Sequence, residues 1–203
     1  MSYLKFDKSE LVNLEYSLPR EILETNKTGG YMNTTIVGCN TRKYHGLFVL
    51  PLKNFNNRRY NLLSGLDETL IQHGREFNLG IRCYGKEKYE PRGHKYIIDF
   101  EYDKNASLTY RVGGMILKKT FFFLPNKEQL LLKYTLQEAH SETVLRLRPF
   151  LAFREIHALT HANDQADLGY RPIENGAAFK MYEGFPSLNI QINRSNEYVH
   201  QPY

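Results

Sequence analysis

Residues 40–47 read Asn-Thr-Arg-Lys-Tyr-His-Gly-Leu, which places a guanidinium (Arg42), a phenol (Tyr44) and an imidazole (His45) within four positions and closes them with Gly46. His45 could serve as a general base, with Arg42 holding an anion and Tyr44 giving up a proton. No serine or cysteine sits in a nucleophile-elbow context, and Cys39 stands near His45 with no third partner of a triad. A second candidate is the acidic pair Asp67-Glu68. Hydrolysis of a glycosidic bond needs two carboxyl groups facing each other, about 5–5.5 Å apart in retaining enzymes and about 6.5–9.5 Å in inverting ones. Neighbours on an extended strand leave opposite faces, so Asp67 and Glu68 can form such a couple only if the chain turns there. A third cluster, Arg154-Glu155 with His157, ends an arginine-rich run that starts at Leu145. For all eight residues the alternative to chemistry is anchoring: Arg42 and His45 bonded to backbone or to another domain, and Tyr44 packed.

Metal and phosphate chemistry find little support. Beyond His45, the histidines His73, His94, His140, His157, His161 and His200 are scattered. His157 and His161 share helical spacing but lack the Glu of a His-Glu-x-x-His helix, so no metal site is assigned. Gly113-Gly114 lacks the spacing and following helix of a phosphate loop. No cofactor is expected. Cys39 and Cys83 fit neither a metal spacing nor a disulfide framework and are read as packing thiols in a reducing compartment. Tyr 15 and Phe 12 stand against Trp 0, so tyrosines would have to replace the indoles that commonly stack on sugars; most of these aromatics alternate with charges and read as core.

The elements that must position these groups are strands. Ile98, Phe100 and Tyr102 alternate with Asp99, Glu101 and Asp103, and Leu108, Tyr110 and Val112 alternate with Thr109 and Arg111. Leu130, Leu132, Tyr134 and Leu136 form one face; Leu145 and Leu147 interleave with Arg146 and Arg148, and Leu188, Ile190 and Ile192 with Asn189, Gln191 and Asn193. Such one-sided patterns suit antiparallel sheets packed on one face. The expected inward set is Phe100, Tyr110, Leu132, Tyr134, Leu145 and Leu147. Turns are expected at 103–105, Gly113-Gly114, 125–127, Glu174-Asn175-Gly176 and 194–196, the strongest being Asn175-Gly176 as the centre of a type I′ hairpin. Before Leu23 the pattern allows a short helix or an edge strand, interrupted by Pro19.

A chain of 203 residues with 41% hydrophobic content fits one sandwich domain, residues 1–203. Its +5 charge is small and dispersed; pairs such as Arg58-Arg59 and Lys118-Lys119 read as solvated surface, so no nucleic-acid partner is expected. The N-terminus lacks the apolar run of a signal peptide, and no stretch is long and apolar enough to span a bilayer, so no membrane partner and a cytoplasmic location are expected. Residues 197–203 show no taper of small polar residues, which suggests a longer parent polypeptide.

Taken in order, Glu24-Thr25-Asn26, Gly29-Gly30-Tyr31, the 40–47 run, Leu63 to Glu68, Pro91-Arg92-Gly93, Phe100 and the stretch Leu145 to His157 resemble the N-terminal domain of prokaryotic-type glycogen debranching enzymes, the amylo-α-1,6-glucosidase family. The resemblance spans about Glu24 to His157. It implies an all-β fold, a large antiparallel two-sheet supersandwich similar to galactose mutarotase. It also implies a parent glycoside hydrolase that removes α-1,6-linked branches from glycogen or related α-glucans. In that family the catalytic carboxylates belong to a C-terminal α/α barrel, for which this chain has no run of amphipathic helices. The fragment itself is therefore expected to be inactive, with no catalytic residue of its own, and to have the barrel and a branched α-glucan as partners. Arg42, Tyr44, His45, Asp67, Glu68, Arg154, Glu155 and His157 are the expected glucan or domain-interface contacts, with the 42–45 loop exposed at an end of the sandwich that faces the barrel. Two other readings stay open: a self-sufficient carbohydrate-binding module, and a mutarotase-like enzyme that needs His45, Glu68 and His94 to converge.

Overall fold

The computed structural model describes residues 3–85, 88–161 and 163–193. Strand β1 (Leu4–Asp7) leads into helices α1 (Lys8–Val12) and α2 (Leu14–Ser17), so the opening segment holds both an edge strand and helix. Asp7 starts α1 through a capping box: its Oδ1 accepts from the amides of Ser9 (2.7 Å) and Glu10 (3.2 Å), while Glu10 accepts from the Asp7 amide at 2.9 Å. Pro19 follows α2. The remaining elements are strands: β2 (Glu21–Thr25), β3 (Tyr31–Thr35), β4 (Gly46–Leu52), β5 (Arg58–Gln72), β6 (Arg75–Asn78), β7 (Ile81–Cys83), β8 (Tyr89–Arg92), β9 (Ile97–Tyr102), β10 (Ala106–Val112), β11 (Met115–Phe123), β12 (Leu130–Glu138), β13 (Val144–Glu155), β14 (Arg171–Ile173), β15 (Gly176–Phe179) and β16 (Leu188–Gln191).

Two antiparallel sheets face each other. One runs β1-β9-β10-β11-β12; the other runs β13-β5-β4-β3-β2, with β6 also paired to β5. The fold is all-β. Strand β13 lies along nearly the whole of β5, from Ile71 opposite Val144 to Tyr60 opposite Glu155. The core lies between the sheets. On β11 the alternation is complete, with Met115, Leu117, Lys119, Phe121 and Phe123 buried. Phe123 meets Phe48 of the opposite sheet at a ring-centroid distance of 5.7 Å. Of the six residues expected to point inward, Phe100 and Tyr110 are buried, and Leu132, Tyr134, Leu145 and Leu147 are half-buried. The physical reason is position: β12 and β13 are the outermost strands of their sheets, where one flank lacks a neighbour.

Of two expected turns, the one at Gly113-Gly114 falls in its expected place and the one at 174–176 is shifted. Gly113 and Gly114 both have positive φ (59° and 79°) and join Val112 to Met115, which is what a type I′ hairpin requires. The 173–176 turn instead closes Ile173 on Gly176, so its central residues are Glu174 and Asn175, and of these only Asn175 has positive φ (54°). Gly176 belongs to β15, where an added Cβ would lie 2.0 Å from the Ile190 carbonyl oxygen. His157 lies in a turn and His161 in irregular backbone rather than on a helix. The turn expected at 194–196 falls outside the described residues. Lys118 and Lys119 are not a solvated pair: Lys118 reaches Glu101 at 3.0 Å, while Lys119 points into the core. The sheet β14-β15-β16 adjoins an aromatic cluster in which Phe185 meets Phe55, Tyr60 and Phe153 at 4.7, 5.2 and 5.6 Å.

Candidate functional site

The connection between β3 and β4 carries the 40–47 motif, and side chains rather than regular structure hold it. Asn40 accepts from the Thr34 hydroxyl at 2.9 Å and donates to the Ser64 carbonyl at 2.7 Å, tying the loop to β5. The loop is exposed at Thr41, Arg42, Lys43 and Tyr44, as expected, but His45 at its end is buried. Its Nδ1 accepts from the Thr41 amide at 3.0 Å, which assigns the ring proton to Nε2. That nitrogen lies 3.0 Å from Glu21, whose other oxygen accepts from Arg42 at 2.5 Å. Burial lowers the His45 pKa, opposed by Glu21 and assisted by Arg42. Burial also works against ionisation of Glu21, but the bonds from His45 and Asn33 together with the Arg42 charge outweigh it and hold this carboxyl below its usual range. Gly46 is demanded by packing: a Cβ there would sit 2.6 Å from the Asn61 amide, which donates to the His45 carbonyl at 3.0 Å.

The third sequence cluster reaches this loop because β13 is irregular. The pairing with β5 shifts register between Leu151 and Arg154, and Phe153 there has a φ of 44°, a left-handed conformation costly for an aromatic residue. The Phe153 ring is buried against Phe185, and Arg154 turns toward the 41–45 loop. Its guanidinium donates to the carbonyls of Lys43 (2.5 Å) and Ala158 (3.0 Å). Lys43 returns a bond to the His157 carbonyl at 3.1 Å, and the Tyr44 and His157 rings meet edge-on at 5.6 Å. Glu155 accepts from the His157 amide at 3.1 Å. These groups act as a clamp between two loops.

Asp67 and Glu68 lie in β5, and their partners come from different elements. Asp67 pairs closely with Arg82 of β7, whose guanidinium also stacks 3.8 Å over the Phe150 ring. Burial lowers the Arg82 pKa, and the bonds to Asp67 and Tyr84 more than reverse that, so it is raised overall. Glu68 points between the sheets, where one oxygen, Oε1, accepts from Lys119 at 2.5 Å and from the Tyr134 hydroxyl at 2.6 Å. Lys119 and Tyr134 are directly opposite each other on β11 and β12. Burial and the Glu68 charge push the phenols of Tyr110 and Tyr134 well above their usual range, so both stay protonated.

One cavity of about 420 Å³ brings five of the eight sequence-selected residues together: Arg42, His45, Asp67, Glu68 and Arg154. Tyr44, Glu155 and His157 do not line it. Lys119, Tyr110 and Arg82 do, and sequence reasoning passed over them. Lys119 had a usable signal, since it falls in phase with Leu117 and Phe121. Glu21 and Arg82 had none, because their partners are fixed only by the tertiary fold. His94 is buried but is not among the cavity-lining residues, so His45, Glu68 and His94 do not converge there. Among the described residues no group of three or more His, Cys, Asp or Glu is placed to hold a metal ion, and no helix is long and apolar enough to cross a membrane.

A two-sheet antiparallel sandwich with a polar cavity framed by paired charges is shared by proteins of many functions and does not by itself define a family. The sequence profile is specific: that of the family described as glycogen debranching enzyme, N-terminal, matches residues 20–203. The chain belongs to this family. No curated protein and no solved structure matches it at a significant level.

Proposed function

We propose that the chain is the non-catalytic N-terminal domain of a cytoplasmic glycogen debranching enzyme. In this reading it packs on a C-terminal catalytic domain of the same polypeptide, which hydrolyses α-1,6-glucosidic branch points of glycogen or related α-glucans. The family match supports the parent activity. One observation favours a non-catalytic role: the two cavity carboxylates are each engaged with a cation, Asp67 with Arg82 and Glu68 with Lys119, and they leave successive positions of one strand. Hydrolysis needs an opposed pair with one member free to give a proton and the other free to attack or to activate water. The clamped loops around Arg42, Tyr44, His45, Arg154, Glu155 and His157 then hold a preformed surface for the neighbouring domain. The test is incubation of the pure chain with a branched limit dextrin, alone and with the catalytic domain. Glucose release only in the second case is expected, and release by the chain alone would refute the reading.

A further inference from the structure

The clamp between the two loops leaves positive charge without a counter-charge. Lys43 donates to the His157 carbonyl, Arg154 to the carbonyls of Lys43 and Ala158, and Arg59 of β5 to the Gly29 carbonyl at 3.0 Å. A carbonyl accepts a hydrogen bond but carries no net charge. Among the described residues none of these three cations forms an ion pair with a carboxylate, whereas Arg42 beside them has Glu21. Burial lowers the Arg154 pKa, and Tyr31 and Glu155 offset that only in part. The guanidiniums gather on one face. Burial raises the pKa of the Tyr31 phenol, and the charges of Arg59, Arg154 and Arg42 all act on it in the opposite sense. The Tyr31 hydroxyl donates to the Tyr44 carbonyl at 3.0 Å, which places this group of cations beside the 41–45 loop.

The same face exposes apolar surface. Leu159 is 67% exposed and lines the cavity together with Arg42, Lys43 and Arg154, and Tyr44 beside them is 36% exposed. Arginine and tyrosine are enriched at protein interfaces, and an exposed leucine among them adds apolar area to cover. The backbone bonds from Lys43 and Arg154 fix both loops in advance, so a partner orders little on arrival. Cations that lack counter-charges repel one another and select a partner of the opposite sign. A small anion could neutralise them but would leave Leu159 in water. We infer that the face running from Arg59 across Arg154 and Lys43 to Leu159 docks an acidic surface of the catalytic domain, with its carboxylates opposite the three cations and an apolar side chain over Leu159. This rests on the reading above that such a domain belongs to the same polypeptide; the acidity of its docking surface is the added claim.

The experiment places Lys43→Glu and Arg59→Glu in the parent enzyme and in the 203-residue chain alone. Lys104→Glu, in the exposed turn between β9 and β10, is the control. Scanning calorimetry follows the unfolding midpoint of the domain at low salt and at 1 M salt, where the Debye length falls from about 10 Å to about 3 Å. In the parent each reversal should lower the midpoint by about 2–4 °C at low salt, and the loss should shrink at 1 M. In the chain alone neither should shift it, because Lys43 and Arg59 are exposed and hydrogen-bond only to backbone carbonyls. Lys104→Glu should shift neither protein. A wild-type domain that unfolds at the same temperature in the parent as alone would mean that the two domains do not pack, which sinks the reading above together with this inference. A midpoint raised in the parent but unmoved by both reversals, equal losses in parent and chain, a loss that persists at 1 M, or a Lys104→Glu loss as large as the others would overturn this inference alone.

Discussion

Replacing Lys119 by methionine tests the account of the buried Glu68–Lys119 pair most directly. Glu68 is 4% exposed and Lys119 5%, so the wild-type pair sits almost wholly out of water, joined at 2.5 Å. Methionine keeps most of the lysine stem and its packing beside Phe121 but removes the charge. Glu68 would then be a buried carboxylate with only the neutral Tyr134 hydroxyl bonded to it. Breaking one side of such a pair costs about 3–5 kcal/mol, against a total stability of roughly 5–15 kcal/mol for an ordinary domain. Adding Glu68→Gln removes the stranded charge while keeping an acceptor for Tyr134, so the double variant should lie within about 2 kcal/mol of wild type. Urea denaturation of wild type, both single variants and the double variant gives the coupling directly. A Lys119→Met loss below about 1 kcal/mol, or single losses that simply add in the double variant, would refute a buried pair whose members depend on each other.

Three further outcomes follow from the same geometry. Burial, with Lys95 and Arg92 nearby, lowers the His94 pKa to about 4, so the fold binds the neutral ring. The stability associated with His94 is then complete above about pH 6.5 and lost as pH falls toward 4, by about 3 kcal/mol; denaturation across that window should be flatter in His94→Leu than in wild type, and parallel curves would contradict it. Gly46→Ala puts a methyl 2.6 Å from the Asn61 amide and should cost about 1–3 kcal/mol as the bond to the His45 carbonyl is lost, with an unchanged thermal midpoint as the contrary result. In the parent enzyme, His45→Ala and Arg42→Ala should lower thermal stability or activity more than Lys43→Ala, because the first two meet at Glu21 whereas exposed Lys43 makes one bond to a backbone carbonyl. Equal effects of all three would mean that the Glu21 contacts do not matter.

The strand pattern was legible because one-sided burial writes itself into alternate residues: Phe100, Leu108, Tyr110 and Val112 needed only a period of two. The hairpin at Glu174-Asn175-Gly176 was misplaced by one residue for a reason that local preference does not contain. Gly176 is required by the approach of β16, not by the turn, and composition cannot separate the two uses of glycine. The site divides in the same way. Arg42, His45, Asp67, Glu68 and Arg154 stood out by type and spacing and do share a cavity, yet their partners Glu21, Arg82 and Tyr134 lie 21, 15 and 66 residues from the groups they bond. Such pairings come from sheet register and loop closure.

Hydrogen bonding marks which polar groups serve as scaffold around the cavity. His45 has both ring nitrogens engaged, Asn40 has its oxygen and its amide engaged, and Arg154 donates to two loops; groups so committed hold a shape and have little left to offer a ligand. Glu68 and Lys119 spend their charges on each other, at positions where burial makes an unpaired charge expensive. The polar motif that is most conspicuous in the sequence is therefore the frame of the cavity, and the buried charge pair sits behind it. A lysine in the hydrophobic row of β11 is the sequence trace of that arrangement, since a core position of this kind is filled by an apolar side chain unless its charge has a partner across the sheets.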